Sequence, residues 1–240
     1  MENAVYIGLS QQMAMQQQMD VIANNIANAD TPAFRSGRVM FQEYLMNNGP
    51  GQNPLSFVQD YGVVHDTREG EIKQTGNPLD IALDGKGYFV VSTAAGQRYS
   101  RDGHLALNAQ GDLSTADGDP VLNVQGQPIV IDPRDGTISI AADGTISNAS
   151  GQIGQLQLVR FDSDQEMKNV GDTLYSTDQT PEPAPKLAVE QGMIESSNVE
   201  PIVEMTKMMQ LLRNYQATQQ LLQIDNTRQV NSIQDLAKVS

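Results

Sequence analysis

Two amphipathic segments, one at each end of the chain, constrain the fold more than any other feature of the sequence. The first runs from about Asn3 to Ala29 and the second from about Val203 to Ala237. Between them, short β-prone runs alternate with turns. Long helices at both ends of a chain can pair with each other, and the amides that interrupt both apolar stripes favour helices that also bundle with other chains. The pattern therefore indicates an assembly subunit.

The N-terminal segment has the periodicity of one helix, which we expect over residues 1–30. Its apolar residues recur every three or four positions, as one helix face requires: Met15, Met19, Ile22 and Ile26, with Val5, Leu9 and Met13 upstream. We expect the helix to stop near Ala29, because Thr31 precedes Pro32 and is driven out of the α region.

The C-terminal segment, residues 203–240, carries a sustained heptad spacing. The positions that follow it are Met205, Met208, Leu212, Tyr215, Gln219, Leu222, Asn226, Gln229, Ile233 and Leu236. This spacing predicts a seam like that of a coiled coil, in which buried amides fix the register. The alternative is a long helix that lies on the β-rich part with its amides in water.

The middle of the chain predicts a β-rich domain over residues 76–185. Five Asp-Gly pairs, a strong signal for hairpins, separate its β-prone runs: those at 84–85, 102–103, 117–118, 135–136 and 143–144. Residues 31–75 indicate an extended or loop segment, and residues 186–202 a return segment. The predicted fold class is thus α+β, with the terminal helices pairing as a coiled-coil-like bundle and a central antiparallel β domain.

Charge and cysteine content exclude several classes of function. The net charge is −14, and residues 46–198 hold 21 acidic and nine basic residues, so this part carries −12. Nucleic acids and anionic membrane faces need basic patches, and neither is an expected partner. The absence of cysteine excludes disulfides and thiolate metal sites. No apolar run approaches the ~20 residues of a membrane span, and the N-terminus does not resemble a cleavable signal peptide.

No cluster of residues in the sequence points to catalysis. His65 and His104 stand in unrelated contexts, and Gly85-Lys86-Gly87 precedes a β-prone run where a dinucleotide fingerprint would precede a helix. The acidic run 162–166 lacks the glycine and glutamate of a calcium loop. We therefore predict no catalytic residue, no cofactor, no metal and no small-molecule substrate.

Two alternative functions remain open from the residues alone. One is a secreted carbohydrate-binding or carbohydrate-hydrolysing protein with a β domain, which needs a carboxylate pair in a cleft. The other is an extracellular adhesin.

Three motifs, in order along nearly the whole chain, resemble those of the flagellar axial proteins, the rod and hook family. They are the run Met19–Arg35, the β segments Pro78–Val91 and Tyr99–Gly103, and the run Gly192–Val199 before the last helix. The opening residues and the short length resemble proximal rod members more than distal rod or hook-type members. One departure is Ala33, where many relatives have glycine.

The resemblance implies a structural subunit of the bacterial flagellar basal-body rod. Such a subunit would be exported by the flagellar type III apparatus and would stack helically with copies of itself and with other rod proteins. Its terminal helices would form the inner layer and its β domain would face outward. The positions we expect at the assembly interface are Met15, Met19, Ile22, Asn24, Asn25, Ile26, Asn28, Phe34, Asn198, Met205, Met208, Leu212, Tyr215, Gln219, Leu222, Asn226 and Ile233.

Overall fold

The computed structural model of the chain consists of two compact units. Unit 1 comprises Met1–Ala27, Ser36–Asp66 and Val199–Ser240, and unit 2 comprises Asn28–Arg35 and Thr67–Asn198. The structure describes residues 2–46, 55–132, 134, 136–171, 173–184 and 187–239. Within these ranges, the side chains at 2–5, 42–46, 55–61, 232–233 and 235–239 lie outside the described part.

Unit 1 contains two long helices and one β-hairpin. Its elements are α1 (Glu2–Ala27), β1 (Gly37–Met46), β2 (Leu55–His65) and α2 (Pro201–Val239). The hairpin is antiparallel, with Gly37 opposite His65 and a bulge between Met40 and Phe41. Both strands lie within residues 31–75, for which the sequence indicates an extended or loop segment.

The two helices of unit 1 run antiparallel. Asn25, near the end of α1, bonds to Glu204 near the start of α2, while Gly8 near the start of α1 packs against Leu222, far along α2. A Cβ atom at Gly8 would lie 2.7 Å from Cδ2 of Leu222, so the glycine permits this close approach. Neither helix, over its described residues, has a stretch apolar enough to span a membrane.

The coiled-coil-like pairing is wrong, although the α+β class and the antiparallel β body agree with the prediction. The described side chains of α2 that are buried or half-buried are Glu204, Met208, Leu211, Tyr215, Thr218, Leu222, Asp225 and Gln229. Every second predicted seam position is displaced by one residue, and Met205, Leu212, Gln219 and Asn226 are exposed. The inner face is therefore a mixed polar and apolar stripe, not the predicted seam.

One pair of neighbouring apolar residues lies where the two faces differ: the inner face carries Leu211 where the prediction had Leu212. Met208 and Leu222 belong to both faces. At the other displaced positions a charged or polar residue faces inward, namely Glu204, Thr218 and Asp225. Helical spacing of apolar residues alone could not choose between the two faces.

Unit 2 is a set of short antiparallel strands. They are β3 (Ile72–Gln74), β4 (Ile81–Asp84), β5 (Tyr88–Thr93), β6 (Gly96–Ser100), β7 (Ala106–Leu107), β8 (Leu113–Ser114), β9 (Ser139–Ile140), β10 (Thr145–Asn148), β11 (Gly151–Gln155), β12 (Leu158–Arg160), β13 (Lys168–Gly171), β14 (Leu174–Ser176), β15 (Glu182–Pro183), β16 (Ala188–Gln191) and β17 (Met193–Glu195). The largest sheet has the order β13-β14-β6-β5-β12-β15, and further pairs join β16 to β4 and β17 to β3.

Strand β5 lies at the centre of the unit and is covered on both faces. Phe89 belongs to one apolar cluster, with Ile81, Leu113 and Ile146, while Tyr88 belongs to the other. Successive side chains of a strand point to opposite faces, so a strand covered on both sides needs an uninterrupted apolar run. The run Tyr88-Phe89-Val90-Val91 meets that need, and all four residues are buried.

Candidate functional site

A single amide joins three elements in the centre of unit 1. The Asn25 side chain is 2% exposed. Its Nδ2 donates to the Gly37 carbonyl oxygen at 2.8 Å and to Glu204 Oε2 at 3.1 Å, and its Oδ1 accepts from the Gly37 N–H at 2.9 Å. One asparagine thereby fixes α1 to the start of β1 and to α2. An amide suits this place because it both donates and accepts.

The exposed surface of each helix carries an apolar stripe. On α2, Ile202, Met205, Met209 and Leu212 recur at helical spacing and are exposed. On α1, Tyr6, Leu9 and Met13 form a similar exposed stripe. Exposed apolar stripes of this kind mark interaction surfaces.

A groove of about 600 Å³ lies between α1 and α2. Its apolar lining comes from Leu9, Met13 and Tyr215, and its polar lining from Asp20 and three glutamines, Gln12, Gln16 and Gln17. The mixture of apolar, amide and carboxylate groups suits a helix that presents apolar side chains together with a positive charge.

In unit 2 the N-terminal and C-terminal motifs meet. The Ala33 N–H donates to the Glu195 carbonyl oxygen at 2.8 Å, and the Asn198 N–H donates to the Phe34 carbonyl oxygen at 3.2 Å. The Asn198 side chain also donates to the Arg68 carbonyl oxygen at 2.9 Å. Two segments that are far apart in sequence are thus held side by side through backbone bonds.

A buried ion pair lies behind this junction. Arg101 is 1% exposed, and its Nε donates to Glu195 Oε2 at 2.7 Å. Its remaining guanidinium donors reach, within 3.1 Å, the carbonyl oxygens of Leu83, Gly85 and Gly87. Charge pairing and hydrogen bonding together compensate for the burial of this arginine.

Arg35 brings a second positive charge against a group of tyrosines. Its Nη1 donates to the Tyr88 hydroxyl at 3.3 Å and lies 3.8 Å from Asp164 Oδ2. Burial raises the pKa of the Tyr88 phenol, and the nearby Arg35 charge opposes that shift. Burial likewise raises the pKa of Tyr175, whose ring packs edge-on against Tyr88. Both phenols therefore stay neutral to a higher pH than an ordinary phenol does.

The structure places the predicted interface residues in several environments. Ile22, Asn25 and Phe34 are buried within the subunit. The half-buried residues are Met15, Met19, Ile26, Asn28, Asn198, Met208, Tyr215 and Leu222, and the exposed residues are Asn24, Met205, Leu212, Gln219 and Asn226. The Ile233 side chain lies outside the described residues. Phe34 and Asn198 are brought together, as are Asn25 and the start of α2.

Sequence reasoning missed the charged partners of these residues. Glu204 was not singled out, because an acid does not belong to an apolar stripe. Arg101 lies in the motif Tyr99–Gly103 and Glu195 in the motif Gly192–Val199. Opposite charges in two motifs of the sequence were the signal that could have linked the two residues. Arg35, at the end of the first motif, gave no comparable signal.

The arrangement offers structural contacts and few reactive groups. His104 Nδ1 lies 2.9 Å from Asp80 Oδ1, and the His104 side chain is exposed. Among the described residues, no group of three or more His, Asp or Glu side chains is placed to hold a metal ion.

Comparison with known proteins gives a consistent picture. Family models match the chain over three parts: flagella basal body rod protein at residues 6–35, flagellar hook protein FlgE/F/G D1 domain at 82–148, and flagellar basal body rod FlgEFG protein C-terminal at 190–233. The chain is 37% identical to the flagellar basal-body rod protein FlgF of Caulobacter vibrioides, with 100% of both chains covered. It is 35% identical to FlgF of Mesorhizobium japonicum, over 92% of each chain. It is 30% identical to the flagellar basal-body rod protein FlgG of Bacillus subtilis, over 92% of this chain and 94% of that relative.

Proposed function

The chain belongs to the family of flagellar basal-body rod proteins and is a structural rod subunit of the basal body, and we propose that its place is in the proximal part of the rod. The FlgF relatives match over the full length or nearly so, which supports this choice within the family. Assembly with other flagellar axial proteins follows from membership in the family.

The observation that carries the proposal is the exposed apolar stripe on each helix of unit 1. A torque-transmitting shaft needs many close-packed contacts between subunits. Exposed apolar stripes on two long helices supply such contacts once neighbours cover them. We assign the four exposed members of the predicted interface on α2, Met205, Leu212, Gln219 and Asn226, to contacts with neighbouring axial subunits.

Delivery of the subunit is part of the same proposal. We propose export by the flagellar type III apparatus, in keeping with membership in the rod family. Subunits that join head to tail then make heterologous contacts that propagate along the shaft.

Replacing Leu212 with aspartate tests the proposal. Leu212 is exposed on α2, so a charge there should leave the unfolding of unit 2 unchanged while the subunit is lost from purified basal bodies by tenfold or more. The matched control is Val130→Asp, at an exposed valine of unit 2, which should leave incorporation within about twofold. Normal incorporation of the Leu212→Asp protein would show that this face touches no neighbour.

A further inference from the structure

We propose that two copies of this chain dock through an antiparallel contact in which Ile224, Leu221 and Arg213 of one copy enter the groove beside α1 of the next. This inference rests on the proposed rod function and names the partner surface on each helix. The ion pair that closes the contact joins Arg213 to Asp20.

The charges of unit 1 point to this pair. Among the described side chains of α1, Asp20 is the only charged one, and it makes no ion pair or hydrogen bond within the described part of the subunit. In α2, Glu204 pairs with Lys207 and Asp225 pairs with Arg228. Arg213 is the remaining charged side chain that the structure describes there. Among its described side chains each helix thus carries one unmatched charge, and the two charges have opposite sign.

The spacing on the two helices matches. Leu9 and Asp20 on α1 are eleven residues apart, and so are Arg213 and Ile224 on α2. Eleven residues make close to three helical turns and span about 16 Å, so the two ends of each interval lie on one side of the helix. Met13 lies inside the first interval and Leu221 inside the second. When the helices run in opposite directions, Leu9 faces Ile224, Met13 faces Leu221, and Asp20 faces Arg213.

The groove gives the apolar side chains a place to bind. Leu9, Met13 and Asp20 all line it, and Leu221 and Ile224 are 67% and 65% exposed in the subunit. Removal of these side chains from water would stabilise the contact. Exposed Gln16 on α1 and Gln216 on α2 are available to bond across the rim.

A subunit cannot fill its own groove in this way. The side of α2 that faces inward carries Leu211, Thr218 and Leu222, whereas Arg213, Leu221 and Ile224 are exposed. The occupant must therefore come from another chain. In a stack of identically oriented subunits, α1 of one copy and α2 of its neighbour also run antiparallel, as they do within one copy. The orientation that the charges require is then the one that the stack provides.

Charge reversal in the full-length protein tests the ion pair. Asp20→Arg and Arg213→Asp should each reduce the amount of the subunit in purified basal bodies at least tenfold, because like charges then meet at the contact. The double variant restores opposite charges and should recover incorporation to within about threefold of the unaltered chain. Normal incorporation of both single variants, or a double variant no better than the worse single one, would overturn the pairing.

Cross-linking shows whether the pair forms between copies. The chain has no cysteine, so two populations, one with Leu9→Cys and one with Ile224→Cys, can be expressed together. Oxidation of their basal bodies should yield a disulfide-linked dimer that neither population forms alone. The register control combines Leu9→Cys with Gln216→Cys, about 12 Å away along the helix, and should give at least fivefold less dimer.

Equal yields from the two cysteine combinations, or cross-links only to a protein of different mass, would overturn a second copy as the occupant. Absence of the unaltered chain from the basal body would instead remove the rod function. The two failures are therefore distinguishable.

Discussion

The two units bury their apolar residues to different degrees. Among the described side chains, unit 2 leaves three large apolar residues exposed, namely Val124, Val130 and Val170. Unit 1 is the shorter unit, yet its exposed apolar residues include Tyr6, Leu9, Met13, Ile202, Met205, Met209, Leu212, Leu221 and Ile224. Unit 2 is therefore complete as a fold, whereas unit 1 needs neighbours to cover its surface.

The buried polar groups at the centres of the two units also differ. Unit 2 encloses a full charge pair, Arg101 with Glu195, whose donors are bonded to surrounding carbonyl oxygens. Unit 1 joins its helices through one neutral amide, Asn25, beside the carboxylate of Glu204. A buried charge pair specifies one arrangement and tolerates little change, while an amide joint binds more weakly.

Removal of Arg101 should produce the largest loss of stability. The Arg101→Ala variant leaves Glu195 charged and buried without its partner. Breaking a buried pair on one side costs about 3–5 kcal/mol. Thermal unfolding of the purified protein, followed through its β signal, measures the loss.

An exposed ion pair in the same unit provides the control. Arg160 bonds to Glu182, and both side chains are about half exposed. The Arg160→Ala variant should lose less than about 1 kcal/mol. Similar losses in the two variants would show that the buried pair does not hold unit 2 together.

The difference between the units also sets how much could be predicted from sequence. The β-rich middle was predictable because turn residues and uninterrupted apolar runs, such as the one at 88–91, act locally. The face of α2 was not predictable, because Leu211 and Leu212 fit two phases of one heptad and the other displaced inward positions hold residues that are not apolar. Asn25 was predicted at the assembly interface, but its bond to Glu204 joins residues far apart in sequence, which periodicity does not relate. The pair of Arg101 and Glu195 was missed for the same reason, since its two residues lie far apart in sequence.

The second prediction concerns the amide joint. In an Asn25→Asp variant, the new carboxylate cannot donate to Glu204 and repels it instead. The expected cost is about 2–3 kcal/mol at neutral pH. When two carboxyl groups lie together in the folded state, the repulsion between their charges raises the pKa of one of them. The folded variant is therefore favoured at low pH, and its stability falls as the pH rises through that pKa.

Release of the Asn25→Asp subunit from purified basal bodies at pH 5 and pH 7.5 measures this effect. The variant should be released more readily at the higher pH. Asn231→Asp, the same exchange at an exposed position of α2 outside the predicted interface, should behave as the unaltered chain does at both values. Release that does not depend on pH would count against the direct contact between residues 25 and 204.

A third prediction concerns the buried phenols of unit 2. Burial raises the pKa of Tyr175 above the ordinary value of 10.0. Above pH 10 the unfolded chain therefore loses a proton that the folded unit retains, and stability falls as the pH rises. The slope is at most about 1.4 kcal/mol per pH unit for each such tyrosine. Urea unfolding at pH 8, 10 and 11 measures it. Tyr175→Phe should reduce the slope, whereas Tyr6→Phe, at an exposed tyrosine of α1, should not change it.

The smallest effect should come from Ala33, where backbone strain and packing oppose each other. Ala33 is buried and has a φ of 54°, in the left-handed region that costs a non-glycine residue about 1–2 kcal/mol. Glycine would relieve this strain but would lose a buried methyl group, about 0.8 kcal/mol, and would add about 0.4–1 kcal/mol of unfolded-state entropy. These terms nearly cancel, so Ala33→Gly should change the stability of unit 2 by less than about 0.5 kcal/mol.

Ala82, which is fully buried in β4, provides the control, because no strain is relieved there. Ala82→Gly should cost about 1.5 kcal/mol through the lost methyl group and the added unfolded-state entropy. Equal losses in urea unfolding would mean that residue 33 carries no strain, and that the turn joining the two terminal motifs accepts alanine as readily as an ordinary strand does.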